Sequence, residues 1–69
     1  MFKGIVSWFD KSSGEGMIYS PEHQTTFYVH YSAIESDNEF KTLNKSVEVE
    51  FSLYTNLYMS QVDSVKEVA

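Results

Sequence analysis

Apolar and polar residues alternate with a period of two along most of the chain. In the stretch SVEVEFSL (residues 46–53), valine, phenylalanine and leucine at odd positions alternate with serine and glutamate at even positions. Alternation of this kind is typical of a β-strand that buries one face. Similar patterns predict three earlier strands, in KGIVSWFD, GEGMIYS and TTFYVHY. A fifth strand is predicted in MSQVDSVKEV, where Val62 and Val65 break the alternation and leave the register open.

The connections between these segments are short and polar. KSSG and PEHQ carry turn residues, and SAIESDNEF is a longer loop with one helical turn predicted at SAIE, capped by Ser32. No segment has the pattern of an amphipathic helix. Five short strands in 69 residues predict one all-β domain over residues 1–69, built as a closed antiparallel barrel, because closure leaves no strand edge exposed.

The alternation also predicts the direction of the side chains. In the second strand Gly16 and Ile18 take the inward face, so Glu15 and Met17 point outward. A carboxylate is therefore expected on the outer surface beside the third strand. The side chains expected to be most buried are Val6, Ile18, Val29, Val49 and Phe51.

Large flat side chains are expected on the outside of the first three strands. Tyr28 and His30 share the outward face of the third strand, whereas Tyr31 is expected on its inward face. Trp8 and Met17 lie outward on the neighbouring strands if the three form a meander, although Trp8 can also be interpreted as a core residue. Exposed aromatic rings are well suited to stacking with nucleic-acid bases.

Three of these segments resemble motifs of the cold-shock domain family. KGIVSWF resembles the family's opening K-G-x-V-K-W-F, SGEGMI its first ribonucleoprotein motif K-G-F-G-F-I, and FYVHYSAI the second, V-F-V-H-F-S-A-I. FKTL (residues 40–43) is similar to the segment that leads into strand four. The resemblance covers nearly the whole chain and implies a five-stranded antiparallel OB-fold (oligonucleotide/oligosaccharide-binding) barrel.

The resemblance also implies a function and a set of site residues. It implies a protein that binds single-stranded RNA and DNA, prefers pyrimidine-rich strands and acts as an RNA chaperone without a cofactor. Bases would stack on aromatic side chains of the sheet. The implied nucleic-acid-binding positions are Trp8, Tyr28, His30, Tyr31 and Phe40, with Phe9 at the edge and Met17 in place of a ring.

The departures from the family pattern weaken the expected interface. Glu15 and Met17 replace the two phenylalanines of the first motif. Ser7 and Ser13 stand where the family has lysines, and Asp10 stands where it has an asparagine. A carboxylate cannot stack on a base and repels phosphate, so binding is expected with reduced affinity.

The overall charge points in the same direction. Ten acidic residues face five lysines, there is no arginine, and the net charge is −5. Proteins that grip phosphates usually carry a basic surface, so binding here is expected to depend on stacking and only weakly on salt. The absence of cysteine, of a membrane-spanning apolar run and of a signal-peptide pattern favours a cytoplasmic protein with no membrane partner, and a monomer is expected.

No constellation of residues supports catalysis or metal binding. His30 has only His23 as a second histidine and no cysteine, whereas a zinc site needs at least three protein ligands. Glu15 has no partner group at a spacing that suggests general acid or base chemistry. The sequence therefore predicts no enzyme activity, no metal and no cofactor.

A second hypothesis comes from the stretch YTNLYMSQ. Leu57, Tyr58 and Met59 form an adaptable patch for a protein partner, or they fold back onto the barrel. In the first case the chain is a protein-interaction module on a cold-shock-type barrel that has lost nucleic-acid binding. A titration with oligothymidine, followed by Trp8 fluorescence, separates this hypothesis from the first.

Overall fold

The computed structural model of the chain describes residues 1–36 and 41–68. Within these residues the elements are β1 (Phe2–Asp10), β2 (Glu15–Ser20), β3 (Thr25–His30), a 3₁₀ turn (Tyr31–Ala33), β4 (Glu48–Thr55) and β5 (Ser60–Glu67). The strands lie where the alternation predicted them, and residues 11–14 and 21–24 form the predicted turns. The described part of the chain contains no helix long and apolar enough to cross a membrane.

The five strands close into a barrel in the order β1-β2-β3-β5-β4. This confirms the predicted OB-fold barrel. Neighbouring strands are antiparallel except β3 and β5, which are parallel at Tyr28 and Gln61. The parallel pair is a geometric necessity, because a closed ring with an odd number of strands cannot alternate direction at every step.

The barrel interior holds the side chains that the alternation assigned to it. Val6 is 1% exposed, and Ile18, Val29, Val49 and Phe51 are fully buried, which confirms the predicted core. Phe51 is the largest of the fully buried side chains. Further core members among the described residues are Ile34, Leu43, Val62 and Val65.

A bulge in β5 explains the broken alternation of the last strand. Ser52 pairs with Ser64, but Leu53 pairs with Val62, so Asp63 is an extra residue in the ladder. An extra residue changes which face the following side chains take. Val62 and Val65 are both buried for this reason, although they lie three residues apart.

Two predictions at the end of β3 are wrong. Tyr31 does not continue the strand to an inward position, because it begins the 3₁₀ turn and is 48% exposed. The turn is capped by His30 and not by Ser32: His30 has extended backbone angles, and its Nδ1 accepts from the Ser32 amide at 3.2 Å. The polar ring therefore meets an amide that the short turn leaves unpaired.

Candidate nucleic-acid interface

Three side chains form a continuous row across the outer face of β1, β2 and β3. Trp8 pairs with Met17, and Met17 pairs with Tyr28. Because neighbouring strands lie about 4.8 Å apart, these cross-strand partners are in reach of one another. Trp8 is 47% exposed, and Met17 and Tyr28 are half-buried. We call Trp8, Met17 and Tyr28 the aromatic row.

A bulge at Ser7 places Trp8 in this row. Val6 pairs with Ile18 and Trp8 pairs with Met17, so Ser7 has no partner in the β1–β2 register. Strict alternation would put Trp8 on the same face as Val6, which is buried in the core. The extra residue reverses the face, and the tryptophan emerges on the surface. This decides between the two interpretations of Trp8 in favour of the exposed one.

His30 and Tyr31 extend the aromatic surface beyond the end of β3. Their ring centroids are 4.4 Å apart with the planes at 38°. His30 Nδ1 also lies 2.9 Å from the Ser32 hydroxyl oxygen, in addition to its bond from the Ser32 amide. These contacts hold the imidazole against the 3₁₀ turn, and the neighbouring phenol ring remains exposed.

Gly14 positions Tyr31 from the opposite side. Its backbone has φ = +74°, a conformation that favours glycine, and its carbonyl accepts from the Tyr31 amide at 2.8 Å. A Cβ atom at this position would lie 2.5 Å from Tyr31 Cδ1. The tyrosine ring therefore packs directly on the glycine backbone, which ties the β1–β2 turn to the end of β3.

The next row of outward side chains along the same strands is acidic. Asp10 pairs with Glu15, and Glu15 pairs with His30. We call Asp10, Glu15 and His30 the acidic row. Like charges in direct cross-strand positions repel each other and any phosphate that approaches them. Asp10 Oδ1 accepts from the Ser12 amide at 2.8 Å, which holds this carboxylate in the turn.

Glu15 also contacts the aromatic row. The predicted outward direction of Glu15, beside Met17 and near Tyr28 and His30, is confirmed by the register. The Tyr28 hydroxyl donates a hydrogen bond to Glu15 Oε2 at 3.1 Å. Partial burial raises the pKa of the Tyr28 phenol above its ordinary value, and the hydrogen bond and charge of Glu15 raise it further. The carboxylate thus fixes the orientation of a ring that is expected to stack.

Phe9 and Phe40 complete the set of predicted site residues. Phe9 pairs with Gly16 on the inward side, is half-buried and packs against the core. A Cβ atom on Gly16 would meet Phe9 Cδ1 at 2.8 Å, so the ring covers the glycine. Phe9 therefore lies at the rim of the barrel and outside the aromatic row. Phe40 lies outside the described residues.

The lysines of the family pattern are replaced by exposed serines here. Ser7 and Ser13 are both exposed. Lys11 is exposed in the β1–β2 turn, next to Asp10. Lys41 is half-buried, and its Nζ donates to the Ser36 carbonyl. The electrostatics of the candidate interface therefore offer little attraction to a phosphate backbone.

The β4–β5 connection does not fold back onto the barrel. Asn56 Oδ1 accepts from the amides of Tyr58 and Met59 at 2.8 and 3.0 Å and shapes a tight turn. Leu57 is 95% exposed and Tyr58 is 91% exposed. Of the two interpretations of this segment, the structure therefore favours the exposed patch over the loop packed on the barrel.

Two further apolar side chains are exposed beside the aromatic row. Ile5 pairs with Tyr19 across β1 and β2, and Tyr19 pairs with Thr26 on β3. Ile5 is 43% and Tyr19 is 40% exposed. Neither residue occupies a base-stacking position of the family pattern, so that pattern does not predict them as site residues. The outward direction of Tyr19, on the same face as Met17, was the available signal.

An OB-fold barrel with aromatic side chains on its outer sheet defines the class of oligonucleotide-binding barrel proteins. The described residues hold no group of three histidine, cysteine or acidic side chains that could bind a metal ion. The sequence matches the family described as the 'Cold-shock' DNA-binding domain over residues 2–67. The chain belongs to the cold-shock domain family, a nucleic-acid-binding and non-enzymatic family.

Curated relatives agree with this assignment. The chain is 48% identical over 50 residues to cold shock-like protein CspJ of Salmonella typhimurium, a match that covers 72% of this chain and 70% of that protein. It is 44% identical over 50 residues to cold shock-like protein CspG of Escherichia coli, with the same coverage. Cold shock-like protein CspI of Escherichia coli is also 44% identical over 50 residues.

Proposed function

We propose that this chain binds single-stranded RNA and DNA by stacking bases on its outer aromatic surface. The observation that carries the proposal is the aromatic row, in which Trp8, Met17 and Tyr28 are direct cross-strand partners. A base that stacks on an aromatic side chain contributes about 1–3 kcal/mol of binding free energy, and every kind of base can stack in this way. His30 and Tyr31 offer two more rings at the end of β3.

The affinity is expected to be weak for a protein of this architecture. Asp10 and Glu15 put two carboxylates at the end of the surface, where an incoming strand meets His30. Met17 replaces a ring by a thioether, which packs well on flat surfaces but does not stack as a ring does. These features support a dissociation constant in the micromolar range or weaker.

The cellular role that fits such binding is that of an RNA chaperone. A stacking surface traps unpaired segments without hydrolysing anything, and membership of the cold-shock domain family supports this role. We propose a preference for pyrimidine-rich strands and a monomeric state on the same ground. Weak stacking with few phosphate contacts allows rapid release, which suits a protein that only transiently keeps RNA unpaired.

A fluorescence titration tests the proposal. Trp8 is the single tryptophan of the chain, so its emission reports directly on the aromatic row. Addition of oligothymidine is expected to quench this emission in a saturable manner. Tyr28→Ala is expected to weaken binding at least about fivefold, because it removes one stacking ring.

The control for Tyr28→Ala is Tyr54→Ala, which removes an exposed tyrosine from β4. This variant is expected to bind like the parent chain. If the parent leaves Trp8 emission unchanged at high micromolar oligothymidine, the chain does not stack bases there and the proposal fails.

One observation favours a second candidate function. Leu57 and Tyr58 are almost fully exposed at the tip of the β4–β5 turn, where apolar side chains gain nothing from the barrel. A protein-interaction module would use this turn as its contact surface. In that case oligothymidine leaves the Trp8 emission of the parent chain unchanged, and Leu57→Ser with Tyr58→Ser removes partner binding.

A further inference from the structure

We infer that Ile5 and Tyr19 form a second base-stacking row, so that the bound strand extends past the aromatic row on the side opposite to Asp10 and Glu15. The inference rests on the proposed function and adds a direction and a footprint to it. The geometry that carries it is the direct cross-strand pairing of Ile5 with Tyr19, one step along the strands from the aromatic row. We call Ile5, Tyr19 and Thr26 the outer row.

The outer row is continuous with the aromatic row. Met17 and Tyr19 are successive outward residues of β2, and Tyr28 and Thr26 are successive outward residues of β3. Successive outward residues of a strand lie about 6.6 Å apart. One extended nucleotide can span that distance, so a base on the aromatic row leaves its neighbour within reach of the Tyr19 ring.

The two neighbours of the aromatic row differ in charge. The acidic row carries the carboxylates of Asp10 and Glu15, whereas the outer row itself carries no charged side chain and has Glu48 of β4 at its edge, as the cross-strand partner of Ile5. A phosphate backbone is repelled on the acidic side and meets the uncharged side chains of Tyr19 and Thr26 on the other. A strand that stacks on Trp8 and Tyr28 therefore extends toward Tyr19.

The exposure of the outer-row side chains favours a role in binding bases over a role only in stabilising the sheet. Ile5 is 43%, Tyr19 is 40% and Trp8 is 47% exposed, and the register places their two rows side by side on the same face of the sheet. Contiguous exposed apolar patches on small proteins usually mark binding sites. An aromatic and a β-branched residue in cross-strand positions also stabilise a sheet, so the test must separate affinity from stability.

Paired titrations with oligothymidines of about four and about eight nucleotides provide that separation. Tyr19→Thr keeps a residue that favours strands, and it is expected to leave the melting temperature nearly unchanged. It should weaken binding of the longer strand about fivefold or more and change binding of the shorter strand by less than about twofold. Ile5→Thr should act in the same direction with a smaller effect.

Tyr54→Thr is the matched control, because Tyr54 is an equally large exposed tyrosine on β4. It should bind both strands like the parent chain. The ring proton resonances of Tyr19 should shift upfield when the longer strand is added, and those of Tyr54 should stay in place. This spectroscopic readout does not depend on how the substitutions affect folding.

The outcomes separate this inference from the proposed function. If the parent chain binds neither strand, the proposed function itself fails. If it binds both and Tyr19→Thr binds the longer strand as tightly as the parent, the outer row is not part of the site. If Tyr19→Thr only converts a concentration-dependent dimer into a monomer, the outer row is an interface between copies of the chain and the inference is wrong.

Discussion

The aromatic row and the acidic row occupy consecutive positions on the same three strands, yet their chemistry is opposite. Both rows use the same backbone geometry, with each β2 residue paired to β1 and to β3. One row presents Trp8 and Tyr28 to the solvent, and the other presents Asp10 and Glu15. The same barrel backbone therefore holds either aromatic or acidic side chains at its outward positions. Affinity can therefore change at one row while the fold is preserved.

Deletion of Ser7 should have the largest effect, because it removes the bulge that separates the faces of Val6 and Trp8. Without the extra residue, Trp8 would turn inward or residues 2–6 would turn outward. The first change overpacks the core and the second exposes it. Because so small a domain is only marginally stable, we expect the free energy of unfolding to fall by about 2–3 kcal/mol or more. Thermal unfolding followed by circular dichroism measures the loss.

The control for this deletion is Ser7→Ala. It keeps the bulge and changes only an exposed side chain, so stability and oligothymidine binding should match the parent. A Ser7-deleted chain that melts like the parent and keeps an exposed Trp8 would show that the bulge does not determine the face.

Glu15→Phe combined with Met17→Phe should make β2 as aromatic as its neighbours. Two added rings are expected to tighten oligothymidine binding at least tenfold, about 1.4 kcal/mol. Glu15→Gln alone should recover only the smaller electrostatic part, since the amide oxygen can still accept from Tyr28 but carries no charge. Fluorescence titration of Trp8 measures both variants.

Asp63→Asn removes an equal charge from an exposed position of β5, outside β1, β2 and β3, and serves as the charge control. It should bind like the parent. If the double variant folds normally and gains no affinity, β2 does not contribute to stacking and the protein-interaction hypothesis becomes the better one.

The salt dependence of binding should be shallow, because neither row carries a lysine. A slope of about −1 to −2 in a plot of log affinity against log salt is expected, which is a four- to sixteen-fold loss between about 50 and 200 mM. Titrations at several salt concentrations measure it. A slope of about −5 or steeper would reveal a basic patch elsewhere on the barrel.

The smallest expected effect is a change in the pKa of Tyr28. The hydrogen bond from Tyr28 to Glu15 links the aromatic row to the acidic row. Because partial burial and Glu15 raise this pKa in the folded state, the associated stabilisation is fully present below the unfolded value of about 10. It is lost as the pH rises through the folded pKa. Glu15→Gln should therefore let the Tyr28 phenol ionise at a lower pH than in the parent.

Difference absorbance between each chain and its Tyr28→Phe version isolates this phenol from the other tyrosines. Asp63→Asn should leave the curve in place. An unchanged curve in Glu15→Gln would mean that the Tyr28–Glu15 hydrogen bond does not persist in solution.

Alternation alone was sufficient to predict five of the core side chains and most strand boundaries. Val49 and Phe51 lie in the most regular stretch, and both are fully buried. The odd number of strands also requires a parallel pair in a closed barrel, although only the structure identifies it as β3 and β5. These features depend on the alternation of side chains or on the number of strands, and both can be read from the sequence.

The positions that escaped prediction depend on contacts between distant segments. A bulge at Ser7 or Asp63 is a property of two paired strands, so one strand's pattern shows only that the alternation fails. The Tyr28–Glu15 hydrogen bond joins residues that are 13 positions apart. Histidine is an uncommon cap, and the cap at His30 became visible only when the 3₁₀ turn was in place.

The single parallel pair between β3 and β5 affects where the barrel opens locally. Among the described residues these strands pair only at Tyr28 and Gln61, and the chain next meets β5 where Ile34 bridges to Val65. A seam with so few ladder hydrogen bonds is expected to open at a lower free energy than the other seams, and its amide protons are expected to exchange first. Tyr28 stands on this seam, so under the proposed function a base stacked there would favour the closed barrel and slow that exchange as the concentration of RNA rises.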